Sequence, residues 1–196
     1  MLQPQNNNKW ELCTEKELWS AFKQGNKRAF STLFLRYYDI LLNYGVKLIG
    51  NEEVAKDGIQ KLFLRLWEKR ENIADANSVK FYLLLSLRRI LLRQKDSKLS
   101  REQRNQDYVN TRLESIGNIE TKIIATELEE EKKELYQNAL DDLTNRQREI
   151  LFLRLHHGMK NEEIAELTGL THQRVRNYMS EAIKRLKRYI FPAQFH

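Results

Sequence analysis

Between Thr171 and Arg188 the chain sets Gln173, Arg174, Arg176 and Asn177 close together, then adds Lys184, Arg185, Lys187 and Arg188, opposed by a single acid, Glu181. Arginine, asparagine and glutamine are side chains whose paired polar atoms match the edges of DNA bases, while lysine and arginine neutralise phosphates and release the counterions condensed there. The chemistry on offer is recognition of a nucleic acid rather than the making of bonds. His172, Gln173, Arg174, Arg176 and Asn177 are the candidate base readers, with Thr171 ahead of them as a helix N-cap. Lys184 and Arg185 lie further along and suit phosphates, although bases near a helix C-terminus also serve simply to complement its dipole.

Such residues must be carried on a helix that is free to enter a groove, and the preceding residues supply its support. Ile164, Ala165 and Leu167 recur at helical spacing and stop at Gly169, a residue suited to positive φ. A second apolar stripe, Val175, Tyr178, Met179, Ala182, Ile183 and Leu186, begins immediately after Thr171. A small residue for close approach, a glycine at the bend and an inward anchor at Val175 are the parts of a helix-turn-helix. The plainer alternative is a pair of amphipathic helices in an ordinary bundle, and the concentration of positive charge argues against it.

Other chemistries find little support. His156 and His157 have no metal-ligand company, no glycine-rich phosphate loop is present, and the adjacent Asp141 and Asp142 read as a helix end rather than a carboxylate pair. The one cysteine, Cys13, cannot form an internal disulfide. No enzyme activity, cofactor, metal or small-molecule substrate is therefore expected.

The whole chain of 196 residues has a formal net charge of +7 and 41% hydrophobic residues, which suits one or two cored domains and an anionic partner. A membrane surface would also attract such a charge, but no apolar run approaches the roughly 20 residues needed to span a bilayer. Met1 to Lys9 is polar and unlike a secretory signal, so a cytoplasmic location is expected. Both prolines, Pro4 and Pro192, stand near the ends, and strand alternation is missing. The fold class expected is all-α.

Thr14 to Glu17 forms a capping box for a first helix carrying Leu18, Trp19 and Phe22 and ending at Gly25. Asn26 caps a second, running through Phe30, Leu33, Tyr37 and Leu41 to Gly50. A third, from about Glu52 to Lys69, buries Ile59, Leu62, Phe63 and Leu66 and turns Asp57, Gln60, Lys61 and Leu64 towards another side. A fourth starts after Asn77 and Ser78 and becomes basic through Lys80, Arg88, Arg89 and Arg93. Four helices make one domain, residues 14–97. Polar residues 98–118 read as a linker. Residues 119–190 form the second domain, opening with an acidic helix from Glu120 to Leu143 and a second capping box at Thr144 to Gln147. Gly158 closes the helix that this box begins. Two basic surfaces on tethered domains suggest a protein that holds two DNA segments at once, since linkage raises the effective concentration for the second contact.

Three stretches carry a resemblance: Leu18-Trp19-Ser20-Ala21-Phe22-Lys23-Gln24-Gly25-Asn26-Lys27-Arg28-Ala29-Phe30, Asp57-Gly58-Ile59-Gln60-Lys61-Leu62-Phe63-Leu64-Arg65-Leu66-Trp67, and Leu143-Thr144-Asn145-Arg146-Gln147-Arg148-Glu149-Ile150. The chain resembles bacterial sigma factors of the extracytoplasmic-function group over about Thr14 to Ile190, and looks most like the forms common in Bacteroidetes. The resemblance implies a promoter-specificity subunit of RNA polymerase with a sigma region 2-like domain and a sigma region 4-like helix-turn-helix domain. By the same resemblance Asp57, Gln60, Lys61 and Leu64 dock on the β′ coiled coil of core polymerase. The loop from Arg70 to Ser78 and the helix after it open the −10 element, with Lys80, Tyr82, Arg88, Arg89 and Arg93 on the displaced strand, although Tyr82 is equally suited to the core. Thr171 to Lys184 read the −35 element, and the acidic helix with the Thr144 helix forms a hollow for the β flap. An anti-sigma factor is a common partner in the family. The chain departs from the family pattern at Lys61, where an acid is usual, which leaves the detailed polymerase contact open, and at Arg89 and Arg93, where Asn and Asp are usual, which leaves the −10 preference open. The alternative is a stand-alone helix-turn-helix repressor or activator that binds palindromic DNA as a dimer.

Overall fold

The computed structural model describes residue 10, residues 12–105 and residues 138–190, with side chains through Lys95 in the first stretch and Tyr189 in the second. The expected acidic helix up to residue 137 and most of the expected linker lie outside the described residues. The chain divides into two compact units, Met1–Ile116 and Gly117–His196. All regular structure among the described residues is helical.

In the first unit, α1 (Glu15–Lys23), α2 (Lys27–Ile49), α3 (Glu52–Lys69) and α4 (Val79–Asn105) follow one another, with a single 3₁₀ turn over Arg70–Asn72. Local chemistry sets the boundaries. Thr14 Oγ1 accepts from the Glu17 amide and Glu17 returns the bond to the Thr14 amide, satisfying two donors that the first turn of α1 leaves open. Asn26 and Asn51 cap α2 and α3 through their side-chain oxygens, and α2 ends at Gly50 in the left-handed region, φ 73°. Helix α2 packs against the other three helices. Phe22, Leu41, Tyr44, Ile59, Leu83, Leu87 and Leu91 form the dry interior.

One approach in this bundle depends on a missing side chain. A Cβ added at Gly58 of α3 would stand 2.5 Å from Leu91 Cδ2 of α4, so only a hydrogen fits there. Helix α4 itself runs to Asn105, past the domain end expected at residue 97 and into the stretch expected as a linker.

The second unit contains α5 (Asn145–His157), α6 (Asn161–Thr168) and α7 (His172–Ile190), preceded by a helical end at residues 138–141. Thr144 and Gln147 form the capping box of α5, which stops at Gly158 with φ 64°. Lys160 donates its amide to Glu163 at the start of α6. The bend between α6 and α7 requires Gly169 at φ 70°, where an L side chain would be strained. Leu143, Leu151 and Ala182 pack together with Leu140, Met179 and Leu186 around them. Ile164 and Val175 are wholly buried, so α7 is fixed along one side and open along the other.

Candidate nucleic-acid interface

The basic helix α7 begins where Thr171 Oγ1 accepts from the Arg174 amide at 3.3 Å, so Thr171 serves the backbone as a cap. Thr171, His172, Gln173, Arg174, Arg176, Asn177 and Lys184 are all exposed, whereas Val175 and Ala182 between them are wholly buried. The structure thus brings the expected base readers together on the open side of one helix. Gln173 Nε2 donates to Asn177 Oδ1 over 2.9 Å. His172 Nε2 lies 3.5 Å from Glu162 of α6, a contact that becomes an ion pair when the imidazole is protonated.

Arg185 is different. Its Nη1 donates to the backbone carbonyl of Asp142 at 2.6 Å and stands 3.8 Å from the Asp142 carboxylate. One N–H of the guanidinium is thus directed at the helix end before α5, one of the carbonyls that a helix C-terminus leaves without an internal partner, while the side chain stays 39% exposed. Gln147 is also occupied across helices. Its Oε1 accepts from the Thr144 amide while its Nε2 donates to Glu181 at 3.0 Å.

In the first unit the expected DNA side of α4 divides. Tyr82, Arg89 and Arg93 recur at spacings of seven and four, on one side of the helix; Arg89 and Arg93 are exposed and Tyr82 is half-buried, edge-on to Trp19 at 5.5 Å between ring centroids. Lys80 is half-buried near the helix start, where its amide donates to Glu15 at 3.4 Å. Arg88 is only 5% exposed. It stands between Leu84 and Leu91 on the inward side of α4, so the expectation that its side chain faces DNA is corrected. Arg89, the next residue, is turned by about 100° and faces outward.

Two anchors hold the segment leading into α4. Lys23 Nζ of α1 is 2.6 Å from Asp75, and its hydrogen bond and charge hold the Asp75 carboxyl below the usual carboxylate range. Glu15 meets both the Lys80 amide and the hydroxyl of Tyr37, which donates to it. Burial first, and then the Glu15 carboxylate, push the Tyr37 phenol well above its ordinary value, so it stays neutral and keeps its proton for that bond. Arg70 stacks over Trp67 at 4.9 Å and donates to the Trp67 carbonyl, fixing the turn at the end of α3. Sequence reasoning missed these anchors, because each joins residues on separate elements or at an irregular turn.

On α3, Asp57, Gln60, Lys61 and Leu64 fall on one exposed face at spacings of three, one and three. Leu64 is 63% exposed, an apolar side chain among polar neighbours. Among the described residues no group of three or more His, Cys, Asp or Glu is placed to hold a metal ion, and no helix is long and apolar enough to cross a membrane.

Residues 133–186 match the family described as Sigma-70, region 4. The fold is similar to that of the sigma factor RpoE of Bartonella quintana, solved in complex with the anti-sigma factor NepR, with a TM-score of 0.62 and 23% identity over 82% of this chain and 96% of that one. It is also similar to CnrH, solved in complex with the cytosolic domain of CnrY, with a TM-score of 0.57 and 17% identity over 90% of this chain and 96% of that one. No curated protein matches the chain. Residues 133–186 thus match the sigma-70 region 4 family, on a chain whose fold is similar to that of the sigma factor RpoE.

Proposed function

We propose that the chain is an extracytoplasmic-function sigma factor, which directs core RNA polymerase to specific promoters and starts transcription there without catalysing a reaction itself. The observation that carries this reading is α7, a helix with its apolar stripe anchored and Thr171, His172, Gln173, Arg174, Arg176, Asn177 and Lys184 open to solvent, within a stretch that matches sigma-70 region 4. In this reading α7 lies in the major groove of the −35 element. Tyr82, Arg89 and Arg93 of α4 meet the displaced strand of the −10 element, with the basic track and aromatic surface that single-stranded DNA requires. Asp57, Gln60, Lys61 and Leu64 dock on the β′ coiled coil, an exposed leucine ringed by polar groups being a fair contact surface.

The second unit faces the β flap. An anti-sigma factor is a further partner, by analogy with the RpoE–NepR complex. A cytoplasmic location and kinship with the Bacteroidetes forms belong to the same proposal.

Size-exclusion chromatography of the full chain with purified bacterial core polymerase tests it. Co-elution at low salt, followed by retention of a promoter fragment that neither component holds alone, is the expected result. A chain that ignores core enzyme and grips a palindromic duplex as a dimer would be a stand-alone helix-turn-helix regulator instead.

A further inference from the structure

Helix α7 turns its core side inward through Val175 and Ala182. With successive residues about 100° apart around the axis, the ridge directly opposite carries Gln173, Asn177 and Lys184, and Arg174 and Arg176 flank it on either side. The two amides, not the arginines, therefore occupy the centre of the surface that would meet the floor of a groove. Both are exposed, and they are bonded to each other: Gln173 Nε2 donates to Asn177 Oδ1 over 2.9 Å.

That bond uses one lone pair of the Asn177 oxygen. The second lone pair and the Nδ2 hydrogens stay free, so Asn177 still offers one acceptor beside one donor. In the major groove this pair matches adenine, whose N6 amino group donates and whose N7 accepts. Guanine presents two acceptors, one of which would face the Asn177 oxygen; cytosine presents a donor alone, and thymine an acceptor and a methyl group. An unrestrained asparagine amide can turn over and offer its two atoms in either order. The Gln173 bond couples the two amides, so that Asn177 turns over only if Gln173 turns with it or the bond breaks, and this restraint lowers the ordering cost on binding.

We propose that Asn177 reads one adenine in the upstream promoter element and that Gln173 is the positioning residue that restrains its amide. This rests on the promoter-binding function proposed above. The flanking Arg174 and Arg176 then serve mainly the phosphate walls of the groove.

The test is selection from a promoter library randomised across the upstream element, with the full chain bound to core polymerase. The wild-type complex is expected to prefer adenine over guanine at one position by about tenfold. Asn177→Ala abolishes that preference and leaves the other positions unchanged. Gln173→Ala weakens it at the same position, and the double variant adds nothing beyond Asn177→Ala, the non-additivity expected of a coupled pair. Gln173→Glu, which can only accept, draws the Asn177 amino group towards itself and also loses the adenine preference. Because both side chains are exposed, all variants are expected to melt with the wild type, which separates lost reading from lost folding.

An Asn177→Ala complex that keeps its adenine preference, or a Gln173→Ala complex altered only at a different position, overturns the assignment while leaving the sigma-factor reading intact. A wild-type complex that selects no promoter sequence at all overturns that reading and this assignment with it.

Discussion

Gln147 donates to Glu181 across 3.0 Å while its other amide atom closes the capping box of α5, so the start of α5 and the middle of α7 are held by one side chain. Gln147 is 2% exposed. Glutamate at this position keeps the cap acceptor but sets a carboxylate against that of Glu181. Gln147→Glu is therefore expected to destabilise the second unit by about 1 to 3 kcal/mol, with Glu181→Gln in the same chain recovering most of the loss. The facing carboxylates raise one another's pKa in the folded state, so the variant's deficit should be smallest at low pH and grow as pH rises through that raised value. Thermal melts of the two variants across pH 4 to 8 check it; equal deficits at every pH would exclude the carboxylate clash.

Gly58 sets the spacing of α3 and α4. Gly58→Ala places a methyl group where Leu91 Cδ2 already lies 2.5 Å away, and the overpacking is expected to cost about 1 to 3 kcal/mol. Leu91→Ala in the same background should make the glycine-to-alanine change far less costly than in the wild type. Strictly additive losses in denaturant melts would show that the two positions do not compete for space.

Arg185 and Lys184 are neighbours in sequence with different tasks. Lys184→Ala is expected to reduce the slope of log affinity against log salt by about one for the polymerase-bound chain on its promoter. Arg185→Ala should leave that slope unchanged and instead lower stability by about 1 kcal/mol, since it removes a hydrogen bond to the Asp142 carbonyl. Salt titrations and melting curves on both variants separate the two effects, and a salt slope that moves only with Arg185 would contradict the assignment.

Lys23 and Asp75 join α1 to the segment before α4. The folded chain holds the Asp75 carboxyl below its ordinary pKa, so the link is present above the unfolded carboxylate range and is lost as pH falls through the lowered folded value. Carboxyl-detected NMR titration should place the Asp75 midpoint below that of ordinary aspartates, and Lys23→Met should return it to the usual range. An unchanged midpoint in the variant would mean that Lys23 is not the cause.

What was legible in the sequence follows the range of the interaction. Thr14 with Glu17, and Thr144 with Gln147, cap helices over three residues, and Gly158 and Gly169 stop them locally, so both pairs and both stops could be read directly. The open side of α7 was legible because Val175, Tyr178, Met179, Ala182 and Leu186 keep a helical period, although Ile183, expected in the same stripe, is exposed. Helix α4 was harder. Leu83, Leu84, Leu85, Leu87, Ile90, Leu91 and Leu92 leave so few polar positions that the pattern does not mark an outward side, and Arg88 was assigned to DNA when it is buried. The bond from Arg185 was hidden for another reason: its partner Asp142 is brought near only by folding of the second unit. Polar spacing likewise suggested a linker from residue 98, yet α4 continues to Asn105 because lysine, arginine, glutamine and glutamate are all good helix formers.

In the proposed function this chain gives core polymerase a choice of promoter. Run-off transcription on genomic fragments, with core enzyme alone and with the full chain added, is the decisive measurement. Transcripts from defined start sites are expected only when the chain is present, with fewer from the same sites when Asn177 or the exposed side chains Arg174 and Arg176 are replaced by alanine. Identical transcript patterns with and without the wild-type chain would contradict that function.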